Sequence, residues 1–328
     1  KNRDDTNHHR LYDTVRGVTK MLSSSQSAAE QTKTGGLTSF DLDGFSVGND
    51  GSENNSGDDY VAWCWDAGSL NTSGNTYVAW AWDAGSGSAA SNTNGSITST
   101  VKANDTYGFS IASYVGTGAN ATIGHGLSAA PDLAIFKNRD DGFDDWWTYN
   151  SISGATKFLR LNLTTAIGTS SVTFNDTEPT STVFSIGTGS AINTNGDNHI
   201  AYFFRSVAGY SKIGSFQNNN STSGVTVTTG FRPGFIILKC TDPDERWFIL
   251  DNARQVNNVS PPSTAWLVPN DNAAEGANGA TTATIDFLDT GFQIKTTNPA
   301  TGEVSFGTRT YIYMAIADTA NAVFNFDA

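Results

Sequence analysis

One ordered set of short phrases occurs three times along the chain, and that recurrence limits the fold to a series of similar units. KNRDD stands at 1–5 and again at 137–141. After Lys137 come WWTYNSISGATKFL, VFSIG at 183–187 and NTNGDNHIAYFF at 193–204. After Lys1 come RLYDTVRGVTKML, GFSVG at 44–48 and NNSGDDYVAWCW at 54–65, in the same order. Gly17, Thr19, Lys20 and Leu22 thereby match Gly154, Thr156, Lys157 and Leu159. Phe45, Gly57, Asp58 and Ala62 match Phe184, Gly196, Asp197 and Ala201. A third, more divergent copy starts at RPGFIILK (232–239), where Lys239 follows Pro233 at the spacing that separates Lys137 from Pro131, and continues with WFILDNARQVNNV, GFQIK and YIYMAIA. YGFSIASYVGTGANATIGHGL and YSKIGSFQNNNSTSGVTVTTGF form matching lead-ins to the second and third copies, so the repeating unit is ~100 residues long.

The first copy begins at the Lys that ends a strand in the others and has no lead-in. Either the chain belongs to a longer polypeptide or a neighbouring subunit supplies the strands. The former is expected, because natural proteins cover an open strand edge. The units are placed at 1–85, 105–208 and 209–328, with 86–104 (GSGSAASNTNGSITST and its flanks) as a flexible Gly/Ser linker.

IASYVG, LAIFK, FIILK, IAYFF and YVAWCW are short, rich in β-branched and aromatic residues and bounded by turn formers, which is the pattern of strands. In YVAWCW the period of two puts Tyr60, Ala62 and Cys64 on one face and Val61, Trp63 and Trp65 on the other, and both faces are apolar. HIAYFF behaves alike. Such a strand is central and covered twice, by a facing sheet and by a further element or domain. The fold class is all-β, as tandem β-sandwich repeats joined end to end. Thr148–Leu159 and its counterpart Leu11–Leu22 read as strand, turn, strand. YVAWCWDAGS (60–69) recurs almost unchanged as YVAWAWDAGS (77–86); only one copy can fill the terminal strand slot of the first unit, and the other is an extra edge strand, an interface ribbon or a duplication without structural role.

Net charge is −13, from 19 Lys plus Arg against 32 Asp plus Glu, which repels a phosphate backbone and excludes nucleic acid as a partner. No apolar run approaches the ~20 residues of a membrane helix, so no membrane insertion is expected. KNRDDTNHHR is polar and is followed by no signal-type apolar segment. Cys64 and Cys240 each lie in an apolar run and read as buried free thiols.

Catalytic signatures are missing: the sequence has no HExxH, P-loop or CxxC, and no nucleophile elbow, because its one GxSxG match, GFSVG at 44–48, is a repeated strand phrase. No enzymatic activity is expected. His8, His9, His125 and His199 read as packed or surface histidines. Asp140, Asp141, Asp144 and Asp145 in NRDDGFDDWW are the candidate calcium ligands, although they do not follow the DxDxDG pattern; Asp242, Asp244 and Glu245 are their third-copy counterparts. Paired carboxylates for polysaccharide hydrolysis would have to stand ~5–9.5 Å apart in a groove. Trp146, Trp147 and Trp247 follow the acidic loops and are candidate sugar platforms, with core packing as the competing role.

The assembled pattern of hairpin, GFxPxxxxxK, acidic turn, Gly-x-Thr-Lys strand pair, GFSVG and YVAWCW resembles a family of repeat domains found in tail-fibre and other virion proteins of marine tailed bacteriophages. The likeness spans almost the whole chain, and the third copy departs most, with KCTDPDE in place of KNRDD. The resemblance implies a virion location, no catalytic residues and a structural role as tail fibre or appendage, forming a stiff rod or exposed knob. It further implies contact with other virion proteins, homo-oligomers such as trimers, and recognition of cell-surface glycans. Capsid decoration and carbohydrate binding or degradation are the alternatives.

Overall fold

A computed structural model describes residues 1–41, 44–63, 77–80, 84, 87–219, 223–252, 254, 266–275, 283–296 and 308–318. The first unit contains β1 (Lys20–Met21), β2 (Gln31–Thr32), β3 (Leu37–Asp41), β4 (Gly44–Val47), the short α1 (Gly51–Asn54), β5 (Tyr60–Trp63) and β6 (Tyr77–Trp80). β1–β2 and β3–β4 are antiparallel, whereas the duplicated phrases pair in parallel as β5–β6, Tyr60 beside Tyr77 and Trp63 beside Trp80. Cys64 lies outside the described residues.

The second unit runs through β7 (Ala90–Asn92), β8 (Ser99–Asn104), β9 (Phe109–Val115), β10 (Ala121–Gly124), β11 (Leu133–Asn138), β12 (Trp147–Asn150), β13 (Lys157–Arg160), β14 (Gly168–Thr169), β15 (Val183–Ile186), α2 (Ser190–Asn193) and β16 (Asn198–Phe204). Its large antiparallel sheet has the order β14-β13-β12-β11-β16-β9-β8-β7, and β10 pairs with β15 in a second, smaller sheet. The third unit repeats the plan with β17 (Ser211–Gln217), β18 (Val225–Thr228), β19 (Pro233–Cys240), β20 (Trp247–Asp251), β21 (Ala283–Leu288), β22 (Gly291–Thr296) and β23 (Thr310–Ala317). Its orders are β17-β23-β19-β20 and β18-β22-β21. The run β9-β16-β11-β12 is thus matched by β17-β23-β19-β20, and β10-β15 by β18-β22.

The first unit keeps the same register where it has the strands. The Asn2–Tyr60 bridge corresponds to the Asn138–His199 pair, and the Leu11–Leu22 bridge to Thr148–Leu159. β1–β2 reproduces β13–β14, down to the Lys20 Nζ bond to Thr32 Oγ1 (2.9 Å) and the Lys157 Nζ bond to Thr169 Oγ1 (2.7 Å). The turns between these strands need glycine: Gly17 and Gly154 have φ of +96° and +79°, where a Cβ is strained.

Segment 86–104 differs from its expected role as a linker. Ile97, Ser99 and Val101 are buried at a period of two, and the segment forms β7 and β8 on the edge of the eight-stranded sheet. β-branched residues at alternate positions outweighed the Gly/Ser content.

Alternation along the central strands explains how the units meet. In β16, Ala201 and Phe203 face inward, packing with Phe136, Tyr149 and Phe184 in the sandwich core, while Ile200, Tyr202 and Phe204 join a different cluster. In β23, Tyr311, Tyr313 and Ala315 fill the third unit's own core, and Ile312, Met314 and Ile316 join that same different cluster. The cluster also holds Leu22 and Val61 of the first unit, so one core is common to all three units. The units therefore do not stack end to end as expected. Each has a second apolar sheet face, and the three faces bury one another.

Candidate interaction site at the unit junctions

The repeated Lys-Asn phrase closes β11 with a built turn. Asn138 Oδ1 accepts the amides of Asp140 (3.0 Å) and Asp141 (3.2 Å), and Asn138 Nδ2 donates to Asp144 and Asp197, each at 2.9 Å. Asn2 does likewise with Asp4 (2.9 Å), Asp5 (3.0 Å) and Asp58 (2.7 Å). Such an Asx turn suits asparagine because its amide both accepts and donates. Lys137 is fully buried, and its ammonium donates to the carbonyls of Asn138 (2.7 Å) and Asp141 (3.2 Å). Lys239, also fully buried, donates to Cys240 (2.9 Å) and across the junction to Thr164 of the second unit (3.0 Å).

Burial lowers Lys137, Lys239 and Lys1 each to about 8. A lysine with its folded pKa below the unfolded value binds fewer protons in the fold, so stability is expected to rise as pH climbs from about 8 to about 10.5. Lys137→Met should flatten that rise and lower stability at pH 7 by about 2 kcal/mol, since two carbonyls lose their donor. Urea titrations at several pH values measure both effects.

Arg of the KNRDD phrase and the residues after it lock neighbouring units. Arg139 of the second unit holds Glu30 of the first in a two-pronged pair (2.8 and 3.0 Å), and the Glu30 amide donates to Arg139 O at 2.8 Å. Arg3 of the first unit holds Glu275 of the third in the same way (2.7 and 2.9 Å), again with the Glu275 amide on Arg3 O at 2.8 Å. Behind each glutamate stands a buried pair: Arg16 with Asp13 and with Glu30 (3.2 Å), and Arg254 with Asp251 (2.6 Å) and Glu275 (3.0 Å). Burial pushes the Asp13 and Glu275 carboxyls up, but the guanidiniums beside them, Arg16 for one and Arg3 with Arg254 for the other, pull both below the usual range.

The third junction has the geometry without the charges. Ile167, at the position of Glu30, donates its amide to Thr241 O at 3.0 Å, where Thr241 replaces Arg139; Asn150 and Ser153 stand for Asp13 and Arg16. All four charged positions are exchanged together. The second unit docks on the first, the third on the second and the first on the third, so the three form a closed cycle.

Tryptophans occupy the same junctions. Trp146 is fully buried and its indole donates to Ser23 O (2.9 Å) and Gln26 O (3.1 Å) of the first unit. Trp247 is 3 % exposed and donates to Arg160 O of the second unit at 2.9 Å. Arg160 corresponds to Ser23, so both indoles act as pegs in equivalent holes. This placement leaves neither ring a face for a sugar. Trp147 points the other way, is partly exposed, packs on Phe158 with ring centroids 4.3 Å apart, and carries the Arg160 guanidinium 4.9 Å from its own centroid.

The acidic loop carboxylates are engaged locally. Asp140 accepts from the Asn198 amide (2.7 Å) and side chain (2.9 Å), Asp141 from the Phe143 amide (2.8 Å), Asp144 from Asn138, and Asp145 from Asn162 (2.7 Å) with Arg160 at 3.4 Å. Asp242 and Asp244 accept the Thr310 and Ala166 amides, each within 2.8 Å. Among the described residues no group of three or more His, Cys, Asp or Glu side chains is arranged to hold a metal ion. Cys240 is a buried free thiol.

His199 is fully buried and stacked on Tyr114 (5.2 Å), and burial lowers it to about 4. Burial also lowers His8, His9 and His125. A histidine with its folded pKa below 6.5 leaves the unfolded chain binding more protons, so stability should fall as pH drops from 6.5 towards 4. His199 alone should account for about 3 kcal/mol, and its replacement by the Tyr of the sister position should remove that part of the acid sensitivity in a thermal-melt series against pH.

A cavity of about 220 Å³ lies against the common core, walled by Phe45, Val61, Ile135, Phe235, Ile237 and Met314 among others. At its polar edge Tyr12 donates to Glu53 (2.9 Å), with the Arg10 guanidinium 3.7 Å from the same oxygen. Sequence reasoning missed both the junction charges and the cavity. The recurring Arg of KNRDD was the available signal for the first.

The architecture of recurring units agrees with the family comparison, in which one family model matches residues 1–70 and then residues 66–320. The chain belongs to DUF7483, a domain of unknown function. The boundary between the two DUF7483 matches falls just after β5, and the longer match takes the second and third units together. No curated protein and no solved structure matches the chain.

Proposed function

We propose that the protein is a structural component of a bacteriophage virion, a tail fibre or similar appendage presented to the host surface. The observation that carries this reading is the closed cycle of three similar units, each junction filled by a buried indole or a buried charge network. Such an arrangement makes a rigid head whose strength lies in packing, as a part that transmits force or holds a fixed surface requires. The net charge of −13 favours a soluble particle surface. The likeness of the repeated phrases to those of marine phage virion proteins supplies the particle. Further virion proteins and copies of the same chain are its partners, and glycans are the surface it would meet. Among the three tryptophans Trp147 alone keeps exposed area for that contact.

Antibody raised against the chain and imaged on purified tailed particles is expected to decorate the tail or its appendages. Absence of the chain from particles by mass spectrometry would overturn the reading. Decoration spread over the capsid would replace it with a capsid role. On a glycan array, binding by the native chain should be lost in Trp147→Ala while the variant still melts cooperatively.

A further inference from the structure

The second unit leaves open a place that its sister units fill. On β12 and β13, Trp147 stands opposite Arg160 and packs on Phe158, and both rings are half-buried. The Ile249–Leu267 bridge corresponds to the Thr148–Leu159 pair, so Phe248, Trp266 and Val268 hold these positions in the third unit. There all three are buried in one cluster with Ile285 and Phe287 of β21, the third strand of the small sheet. The small sheet of the second unit consists of β10 and β15 alone, and among the described residues no further strand covers its aromatic pair. In the first unit Arg10, Met21 and Ser23 take the three positions, and Arg10 bonds to both of the others (3.6 and 3.3 Å). Aromatic rings are thus open to solvent at this place in the second unit only. The Arg160 guanidinium lies 4.9 Å from the Trp147 ring centre and 5.3 Å from that of Phe158, so the two rings hold it in place. Asp145 meets it from the Nε side at 3.4 Å, and its two terminal nitrogens form no hydrogen bond to a described residue. With 29 % of the side chain exposed, that fork is free to meet a carboxylate or a sulfate.

We propose that this ledge binds a sugar ring carrying an anionic group, a uronate carboxylate or a sulfate ester. The apolar C–H face of the ring packs on the exposed area of Trp147 and Phe158, and the anionic oxygens accept from the terminal nitrogens of Arg160. The assignment rests on the glycan contact proposed above and adds the class of glycan. A net charge of −13 repels acidic polymers at a distance, so capture depends on this short-range contact and not on steering. The Trp247 indole uses only the Arg160 carbonyl, so the Arg160 side chain can be changed without removing that junction bond.

The test titrates three galactose-based oligosaccharides, one neutral, one sulfated and one built of galacturonate units, into the native chain and three variants by calorimetry. At least one acidic oligosaccharide is expected to bind about 10- to 100-fold more tightly than the neutral one, the range of a charge-assisted hydrogen bond. Arg160→Gln should abolish that preference in a chain that still melts cooperatively. Arg160→Lys should keep part of it, because it retains the charge without the fork. Trp147→Ala should weaken binding of all three. Preference for galacturonate or for the sulfated sugar tells carboxylate from sulfate, and either result supports the proposal. Equal binding of neutral and acidic sugars, lost in Trp147→Ala, would overturn it and leave the glycan contact standing. An acid preference that survives Arg160→Gln would overturn it by placing the anion elsewhere. No binding by any of the three would overturn both this proposal and the glycan contact, with the virion role still decided by the particle images.

Discussion

Glu30→Ala is expected to lower the unfolding free energy by about 3–5 kcal/mol, the range found when one partner of a buried ion pair is removed. Glu30 pairs with both Arg16, whose side chain is fully buried, and Arg139, which is mostly so. Without it two guanidiniums face each other across the junction, with Asp13 left to offset one of them. Exposed ion pairs are worth ~0–1 kcal/mol, so the size of the loss reports burial. The neutral junction supplies the control. Ile167 takes the same position against Thr241, and Ile167→Ala removes only part of a half-buried side chain, at a cost of about 1–2 kcal/mol. Urea is the denaturant of choice, because guanidinium salts screen the charges being compared. A loss under about 1 kcal/mol for Glu30→Ala would show that the network contributes little to holding the units together.

Trp146→Ala should be equally severe, at about 3–5 kcal/mol, through the cavity left at the first junction and the loss of the indole donor to Ser23 and Gln26. Trp146→Phe separates the two contributions: it retains most of the packing and should cost the hydrogen bond and the remaining volume, about 1–2 kcal/mol. Trp247→Ala makes the same change at the second hole, against Arg160. Both indoles belong to the common core, so the double variant is expected to depart from additivity. Should Trp146→Ala melt like the native chain, the indole would be a bystander, and docking would have to rest on the charges and sheet faces alone.

Much of the fold was legible because its signals are local. Alternation in HIAYFF announced a strand apolar on both faces, and the structure covers both, one by the sandwich partner and the other by neighbouring units. Gly17 and Gly154 marked the turns of the strand pairs they were expected to make. Segment 86–104 was misjudged because Gly and Ser dominate its composition while Ile97, Ser99 and Val101 carry its alternation. The sites were less legible. A Trp after an acidic loop has the same sequence whether it stacks on a sugar or plugs a neighbour, and only the position of Ser23 or Arg160 distinguishes them.

By itself the sequence determined the repeating unit, its strands, and the fact that each unit carries one apolar face too many to stand alone. These follow from backbone periodicity and turn stereochemistry, which act within a few residues. The tertiary structure decided that the spare faces close on one another in a cycle, that Arg3 meets Glu275 and Arg139 meets Glu30, and that one junction has exchanged its charges for Ile167 and Thr241. Those choices join residues far apart in the chain, where burial drives association without specifying the partner and only the geometry of the assembled core selects it.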